Sequence, residues 1–270
     1  MKNIKIIVTD LDSTLLRDDK TISDYTAGIF NKCWQNGIKI VFATARPKRV
    51  TIQYLEQIPA DILIMHNGAV IYSNNEQIFH CGISPDVTKN IMWSVNHDFP
   101  GATVSVEIDD TLYINSGKPK EWDNTKAIFT DLSDFDKLSE YFPDKPAEKI
   151  IVGLRSVNIP LENQADITKP FEKYLNDDLY AETNSEGYIF IMNRGAKKAS
   201  AVKFLSERYG CAMSEIAAFG DDYNDIEMIK HCGIGVAVSN AIDEVKSAAD
   251  FICESNDSNG VAKWIENNIL

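Results

Sequence analysis

The amino-acid sequence predicts an α/β fold in which helices cover a parallel β-sheet, with an α+β segment inserted in the middle of the chain. Three observations support this prediction. Short apolar, β-branched runs stop abruptly at a polar residue, as strands buried on both faces do. Amphipathic helical stretches separate several of these runs, so strands and helices alternate. Between about residues 83 and 191 the alternation gives way to paired strands and isolated helices.

The first and last residues of each run give the bounds of the predicted strands and helices. In the alternating part, strands are predicted at residues 4–8, 38–42, 62–65, 216–219 and 234–238, and helices at 23–36, 48–57, 199–209 and 225–231. In the middle segment, helices are predicted at 85–97 and 163–175, and strands at 102–108, 111–114, 149–154, 179–183 and 188–192. In parallel sheets the ligand site lies beyond the carboxyl ends of the strands, so the residues that follow each strand are the candidates for function.

Composition and charge restrict the class of function. The chain has 270 residues, 44% of them hydrophobic, which is enough for one large domain or two moderate ones. Its 40 acidic and 27 basic residues give a net charge of −13, so we expect neither nucleic acid nor an acidic membrane as a partner. No stretch approaches the ~20 apolar residues of a membrane span, and no signal-peptide core precedes the first strand. We therefore expect a cytoplasmic protein.

Two acidic clusters follow predicted strands. Asp10 and Asp12 come directly after the first strand and point the same way in an extended chain, so their carboxylates would share a proton or bind a cation. Asp221, Asn224 and Asp225 follow the strand at 216–219. Each cluster alone is more typical of a simpler structure, the first of a polar turn and the second of a capped helix entry.

The positions of two further residues favour the functional interpretation. Thr44 follows a third strand, and Lys198 lies at the start of a predicted helix. Carboxylates that bind Mg²⁺, with a hydroxyl and an ammonium group for phosphate oxygens, form the set of groups that phosphoryl transfer needs. The sequence therefore predicts a phosphoryl-transfer site at one edge of the sheet.

The order of these motifs resembles the haloacid dehalogenase (HAD) superfamily, specifically its Cof-type phosphatases with a large α/β cap. The similarity spans nearly the whole chain and rests on Asp10-Leu11-Asp12-Ser13-Thr14, Phe42-Ala43-Thr44-Ala45-Arg46, Asn67-Gly68-Ala69, Gly195-Ala196-Lys197-Lys198, Gly220-Asp221-Asp222-Tyr223-Asn224-Asp225, and the segments 233–241 and 249–251. The resemblance implies a Rossmann-like parallel-sheet core at residues 1–82 and 193–270, with an inserted α+β cap domain at 83–192.

The resemblance also implies a role for each matching residue. Asp10 would attack phosphorus and form an aspartyl-phosphate, while Asp12 would protonate the leaving alkoxide and later deprotonate the attacking water. Thr44, Lys198 and Asn224 would bind the substrate phosphate.

A magnesium site is implied as well. Mg²⁺ would be held by the carboxylates of Asp10 and Asp221 and by the main-chain carbonyl of Asp12. Asn224 and Asp225 would complete the pocket and orient Lys198 or a metal-bound water.

Two positions depart from the family pattern, and two further assignments stay open. Ser13 and Ala45 stand where the family usually has glycine. The family lysine is usually followed by glycine, whereas this chain has Lys197-Lys198-Ala199; the register favours Lys198, with Lys197 as the alternative. Arg46 either contacts the substrate or is an exposed arginine at a helix start.

We therefore expect a Mg²⁺-dependent phosphatase for small phosphomonoesters, such as sugar phosphates or the cofactors pyridoxal phosphate and flavin mononucleotide. The cap would select the substrate, with the turn at residues 184–188 as the first candidate. Two alternatives remain: a phosphosugar mutase that uses the same carboxylates, and a non-catalytic phosphosugar-binding regulator. The sequence carries no indication of oligomeric state.

Overall fold

The computed structural model describes residues 3–115, 127–154, 167–183 and 187–270. In chain order the strands are β1 (Ile6–Thr9), β2 (Lys39–Ala43), β3 (Ile62–Met65), β4 (Val70–Ser73), β5 (Glu76–His80), β6 (Thr103–Ile108), β7 (Thr111–Ile114), β8 (Ala127–Phe129), β9 (Lys149–Gly153), β10 (Leu179–Thr183), β11 (Tyr188–Asn193), β12 (Ile216–Gly220), β13 (Ile234–Val238) and β14 (Phe251–Cys253). The α-helices are α1 (Asp24–Gln35), α2 (Lys48–Thr51), α3 (Pro85–Asp98), α4 (Leu138–Tyr141), α5 (Lys198–Tyr209), α6 (Ile226–His231), α7 (Asp243–Ala248) and α8 (Gly260–Asn268).

The chain divides into two compact units. One comprises Met1–His80 with Lys197–Leu270, and the other comprises Cys81–Ala196. The first contains an open, mostly parallel sheet with helices, and the second contains a mostly antiparallel sheet with helices. This arrangement confirms the predicted fold class, a parallel-sheet α/β core with an inserted α+β segment. Within the described ranges, no helix is both long and apolar enough to cross a membrane.

The sheet of the first unit has the order β14-β13-β12-β1-β2-β3-β4-β5. Its first six strands are parallel, and their residues are largely buried because apolar clusters cover both faces. Phe30 and Phe219 belong to the cluster on one face, and Val41 and Leu205 to the cluster on the other. The strands that carry the predicted site are therefore fixed by packing from both sides.

A hairpin, β4–β5, lies between the third strand and the inserted unit in the chain, and neither of its strands was among the predicted ones. β4 pairs antiparallel with β3, and β5 forms the sheet edge. Asn74 and Asn75 form the tight turn between them, with φ of 49° and 68°, a conformation that asparagine tolerates. The short edge strand β5 shows only weak alternation of apolar and polar residues, because Glu76 and Gln77 are both exposed. This weak alternation explains why the strand was not predicted.

The predicted helix at 48–57 is also divided. The α-helical part is α2, and residues Ile52–Glu56 continue as a tighter 3₁₀ helix. The β-branched run Val50-Thr51-Ile52 lies where the change occurs, and such residues lower helix propensity.

The second unit has a sheet of order β10-β11-β9-β6-β7-β8, in which only the β7–β8 pairing is parallel. Val104 and Val106 of β6 join Ile91 and Val95 of α3 in one buried cluster. The predicted helix at 163–175 appears, in its described part, chiefly as the 3₁₀ helix Lys169–Tyr174, and residues 163–166 lie outside the described ranges. Residues 184–186 of the candidate selectivity turn also lie outside them.

Glu148 is a buried carboxyl group at the start of β9, only 2% exposed. Its Oε1 accepts the N–H of Asp109 at 3.3 Å, and its own N–H donates to the carbonyl of Glu107 at 2.9 Å. Burial raises the pKa of Glu148 to about 8, against main-chain hydrogen bonds that lower it, and the charges of Glu107 and Asp109 add to the increase. The folded protein therefore keeps this group protonated well above pH 5.

We expect the substitution Glu148→Gln to stabilise the protein increasingly as pH rises. The unfolded chain ionises Glu148 near its ordinary pKa of 4.5, whereas the folded chain ionises it only near 8, so the wild type loses stability over that interval. Urea unfolding at pH 6 and pH 8 should show a stability difference that widens with pH, to a few kcal/mol. The exposed Glu140→Gln is the matched control, and an equal difference at both pH values for Glu148→Gln would contradict the prediction.

Candidate active site

The turns that follow β1, β2 and β12 lie side by side at one edge of the sheet. Thr9, the last residue of β1, lies opposite Phe42 in β2 and Phe219 in β12. The next residue, Asp10, donates its N–H to the carbonyl of Phe219 at 3.0 Å and is only 6% exposed. The register therefore brings the polar residues after all three strands to the same place, where Asp10 is central.

Lys198 forms two short ion pairs inside this edge. Its Nζ lies 2.6 Å from Oδ1 of Asp10 and 2.8 Å from Oδ1 of Asp225, and its side chain is 1% exposed. Burial alone would lower the pKa of Lys198, but the two carboxylates raise it above its ordinary value, so the ammonium group stays charged. Lys197, the alternative from the sequence, is exposed. The structure thus places Lys198, and not Lys197, against Asp10.

Asp225 is held rigidly under the turn that follows β12. Its Oδ2 accepts the N–H groups of Asp221 at 3.0 Å and Asp222 at 3.3 Å. A Cβ atom at Gly220 would lie 2.4 Å from the Cβ of Asp225, so only glycine permits this approach. Asp222 accepts the N–H of Tyr223 at 2.8 Å and so caps the next helical turn. The acidic cluster after β12 therefore has both of the roles considered from the sequence: it starts a helical turn, and it forms part of the acidic site.

Asp10, Asp221 and Asp225 form a group that could hold a metal ion, since their oxygen ligands lie within 4.8 Å of one another. Burial, with the charges of Asp225 and Asp221, raises the pKa of Asp10 well above its usual range against the opposing effect of Lys198. Burial and Asp225 likewise raise the pKa of Asp221 to about 7. Crowded carboxyls with raised pKa values are relieved by a bound cation, so the donor set fits the Mg²⁺ that the resemblance implies.

One oxygen of Asp221 has a specific partner in the first motif. The hydroxyl of Thr14 donates to Oδ1 of Asp221 at 2.6 Å, and Thr14 is 1% exposed. The turn after β1 and the turn after β12 are thereby tied together through a side chain that the sequence analysis did not single out. The signal available was its place in the motif, two residues after Asp12.

Thr44 and Asn224 are linked through Asn67. Thr44 is 1% exposed and its carbonyl accepts the N–H of Asn67 at 3.0 Å, while Oδ1 of Asn67 accepts Nδ2 of Asn224 at 2.9 Å. Oδ1 of Asn224 is buried and has no donor among the residues that the structure describes. A buried acceptor of this kind is available to a bound water or ligand.

The turn that carries Asn67 is strained and closely packed. His66, Asn67 and Gly68 have successive φ values of 49°, 58° and 104°. A Cβ at Gly68 would lie 2.4 Å from the carbonyl oxygen of Lys197, which explains the need for glycine. Strain of this kind is characteristic of functional sites, and here it orients the amide that contacts Asn224.

Asp12 is bound by two cations. Nε and Nη2 of Arg46 each lie 2.6 Å from a different oxygen of its carboxylate, and Nζ of Lys20 lies 2.8 Å from Oδ1. Burial opposes ionisation of Asp12, but these hydrogen bonds outweigh it and hold its pKa below the usual range. Nη1 of Arg46 also donates to the hydroxyl of Tyr54 at 3.1 Å.

Arg46 is therefore not the exposed arginine that one interpretation from the sequence describes. Its side chain is only 18% exposed, and its guanidinium contacts the predicted acid/base carboxylate of Asp12. Its main-chain N–H donates to the hydroxyl of Thr44 at 3.2 Å, so one residue joins the predicted acid/base to the predicted phosphate-binding threonine. The missing information was a contact between residues 34 positions apart, which no local pattern encodes.

We expect Lys198→Met to destabilise the protein far more than Lys197→Met. Removing the buried ammonium leaves Asp10 and Asp225 without their counter-charge, which costs about 3–5 kcal/mol of unfolding free energy. Lys197→Met removes an exposed charge and should change stability by less than about 0.5 kcal/mol. Urea unfolding of both variants at pH 7.5 with EDTA tests this, and equal stabilities would contradict it.

Comparisons with known proteins agree with this geometry. Residues 7–265 match the family model described as haloacid dehalogenase-like hydrolase. A relative from Bacillus subtilis (strain 168), 5-amino-6-(5-phospho-D-ribitylamino)uracil phosphatase YitU, is 27% identical over 272 residues, covering 97% of this chain and 96% of the relative. A second phosphatase of that name from the same organism, YcsE, is 28% identical over 273 residues, covering 99% and 97%.

Solved structures also resemble this chain over nearly its whole length. TM0651 from Thermotoga maritima superposes with a TM-score of 0.83 at 25% identity, covering 99% of this chain and 98% of the other. BT1666 from Bacteroides thetaiotaomicron, described as a phosphatase of the HAD superfamily, gives a TM-score of 0.77 at 25% identity, covering 98% and 94%. The resemblance found in the sequence motifs is thereby confirmed. The chain belongs to the haloacid dehalogenase-like hydrolases, and within that family it is a phosphatase.

Proposed function

We propose that the chain is a cytoplasmic, Mg²⁺-dependent phosphatase that hydrolyses small phosphomonoesters through an aspartyl-phosphate on Asp10. The observation that carries the proposal is the buried Asp10 carboxylate beside Lys198, at the strand edge shared with Asp221 and Thr44. Sugar phosphates and phosphorylated cofactors are the proposed substrate class. The names of the relatives YitU and YcsE support it, since they specify a ribityl phosphate ester.

In the first step, a carboxylate oxygen of Asp10 attacks phosphorus, and the bond between phosphorus and the ester oxygen breaks. Asp12 must carry a proton for this step, which the contacts of Arg46 and Lys20 oppose. It donates that proton to the departing alkoxide, so the product leaves as an alcohol. Lys198 and Thr44 stabilise the charge on the oxygens of the transferring phosphoryl group.

In the second step, water attacks phosphorus of the aspartyl-phosphate. Asp12, now a carboxylate, takes the proton from that water, and the bond between phosphorus and Asp10 breaks to release inorganic phosphate. Arg46 holds the Asp12 carboxylate by two contacts of 2.6 Å, so the proton-transfer group is oriented by a side chain outside the first motif.

The carboxylates of Asp10 and Asp221, with the main-chain carbonyl of Asp12, would hold Mg²⁺. When bound, the cation would neutralise carboxylate charge and let a phosphate dianion approach Asp10. Asp225 supports the site by orienting Lys198 at 2.8 Å and by holding the N–H of Asp221. The buried Oδ1 of Asn224 would accept a hydrogen bond from a bound water or from a protonated phosphate oxygen.

The core and the cap would have different roles in recognising the substrate. Residues 1–82 and 193–270 form the proposed catalytic core, which recognises the phosphate common to all substrates. Residues 83–192 form the proposed cap, which supplies selectivity for the remainder of the substrate.

The experiment that tests this function is a screen of purified protein with Mg²⁺ against a broad panel of phosphomonoesters, measuring inorganic phosphate. Conversion of a hexose phosphate to its isomer without phosphate release would indicate the mutase instead. Tight binding of a phosphosugar without turnover would indicate the regulator.

Asp10→Asn should abolish release of p-nitrophenol from p-nitrophenyl phosphate, with a decrease of at least about 10³-fold, because an amide is not a competent nucleophile. EDTA should abolish the activity of the wild type, and Mg²⁺ should restore it, because the crowded carboxyls need a cation. The folding control is circular dichroism of each sample. Turnover by Asp10→Asn at the wild-type rate would refute the proposed nucleophile.

Substitutions of Arg46 should reduce kcat with little effect on KM, because Arg46 orients Asp12 and leaves phosphate binding to other groups. Arg46→Lys keeps the charge but loses the two-point contact, and we expect about a tenfold loss of kcat. Arg46→Met should cost about a hundredfold. Steady-state kinetics with p-nitrophenyl phosphate measure both values. An increase in KM at unchanged kcat would instead show that Arg46 binds the substrate.

A further inference from the structure

The segment after β13 carries an amide side chain that reaches the turn after β1. Nδ2 of Asn240 donates to the carbonyl of Ser13 at 2.7 Å, and Oδ1 of Asn240 accepts the N–H of Asn256 at 3.0 Å. A main-chain carbonyl can only accept and a main-chain N–H can only donate, so these two neighbours fix the orientation of the amide. Asn240 belongs to segment 233–241, to which the proposed mechanism gives no role.

The contact is made to a strained residue. Ser13 has φ of 56° and ψ of 4°, the left-handed conformation that favours glycine. Serine is less stable there than glycine, so the conformation needs support from its surroundings. The hydrogen bond from Asn240 supplies such support directly at the carbonyl of the strained residue.

A second amide extends the same connection. Nδ2 of Asn256 donates to the carbonyl of Leu16 and to Oδ1 of Asp18, both at 3.0 Å, and Asn256 is 5% exposed. The turn Leu11–Leu15 is closed by the N–H of Leu16, which donates to the carbonyl of Leu11 at 2.8 Å. The two asparagines therefore contact this turn at its strained residue and just after its end.

The residues on either side of Ser13 are those that the mechanism uses. Asp12 precedes it and is the proposed acid/base, and Thr14 follows it and holds Oδ1 of Asp221 at 2.6 Å. A change in the main chain at Ser13 would displace both side chains together.

We infer that Asn240 is a positioning residue for the turn Leu11–Leu15. It holds Ser13 in the left-handed conformation, which orients the side chains of Asp12 and Thr14. The inference rests on the proposed phosphatase activity. Asn256 anchors the amide of Asn240, so the C-terminal part of the chain acts on the site through two side chains that contact no reacting group.

Asn240→Asp tests the inference with minimal change in shape. The aspartate can still accept the N–H of Asn256, but it presents an oxygen to the carbonyl of Ser13 where a donor is needed. We expect kcat for p-nitrophenyl phosphate to fall about tenfold while KM changes less than about twofold. Hydrogen exchange of the Leu16 amide should become about tenfold faster, because that amide closes the turn.

The matched control is Asn268→Asp. Nδ2 of Asn268 donates to the carbonyl of Trp264 at 2.8 Å within α8, so the chemical change is the same but the contact is remote from Ser13. The effect of Asn240→Asp is then measured again in a Ser13→Gly background. Because glycine adopts the left-handed conformation without help, the loss of kcat there should shrink to about twofold.

Two outcomes would overturn the inference. The first is an unchanged kcat and unchanged Leu16 exchange in Asn240→Asp. The second is an equal loss of kcat with serine or glycine at position 13, which would mean that Asn240 acts elsewhere. If the wild type hydrolyses no phosphomonoester, the proposed function fails, and the exchange of Leu16 still decides whether Asn240 holds the turn.

Discussion

The buried charge of Lys198 is the constraint on which the rest of the site depends. Its ammonium group lies between Asp10 and Asp225, which are 188 and 27 residues away in the sequence. An uncompensated charge at such depth is strongly destabilising, so the start of α5, the end of β1 and the turn after β12 are stable only when they meet. The same contacts that bring these three segments together place a carboxylate and a cation at the proposed site of phosphoryl transfer.

Much of this site could be predicted because the residues that follow neighbouring parallel strands lie at the same edge of the sheet. The runs at 62–65 and 234–238 match β3 and β13 residue for residue, since strands buried on both faces leave an uninterrupted apolar pattern. Once β1, β2 and β12 are neighbours in a parallel sheet, Asp10, Thr44 and Asp221 must emerge at one edge. No contact between side chains is needed for that conclusion.

Other features depend on contacts that no local pattern encodes. The edge strand β5 lacks a continuous apolar run because its first two residues, Glu76 and Gln77, are polar and exposed. The contacts of Arg46 and Asn240 could not be predicted either, since each is made to a partner distant in sequence, Asp12 for one and Ser13 for the other. The sequence shows which residue types are present near the strand ends, but the choice of partner is made by the packed backbone.

Charge explains how so acidic a protein can bind a phosphate dianion. The contacts of the site join four carboxylates, those of Asp10, Asp12, Asp221 and Asp225, to three cations, Lys20, Arg46 and Lys198. With all groups ionised, one negative charge remains, and a dianion would be repelled. Burial and this excess of negative charge raise the pKa values of Asp10 and Asp221, and protonation is one way to remove the excess. A divalent cation is the other way: it would leave one net positive charge at the proposed phosphate site beside Lys198 and Thr44.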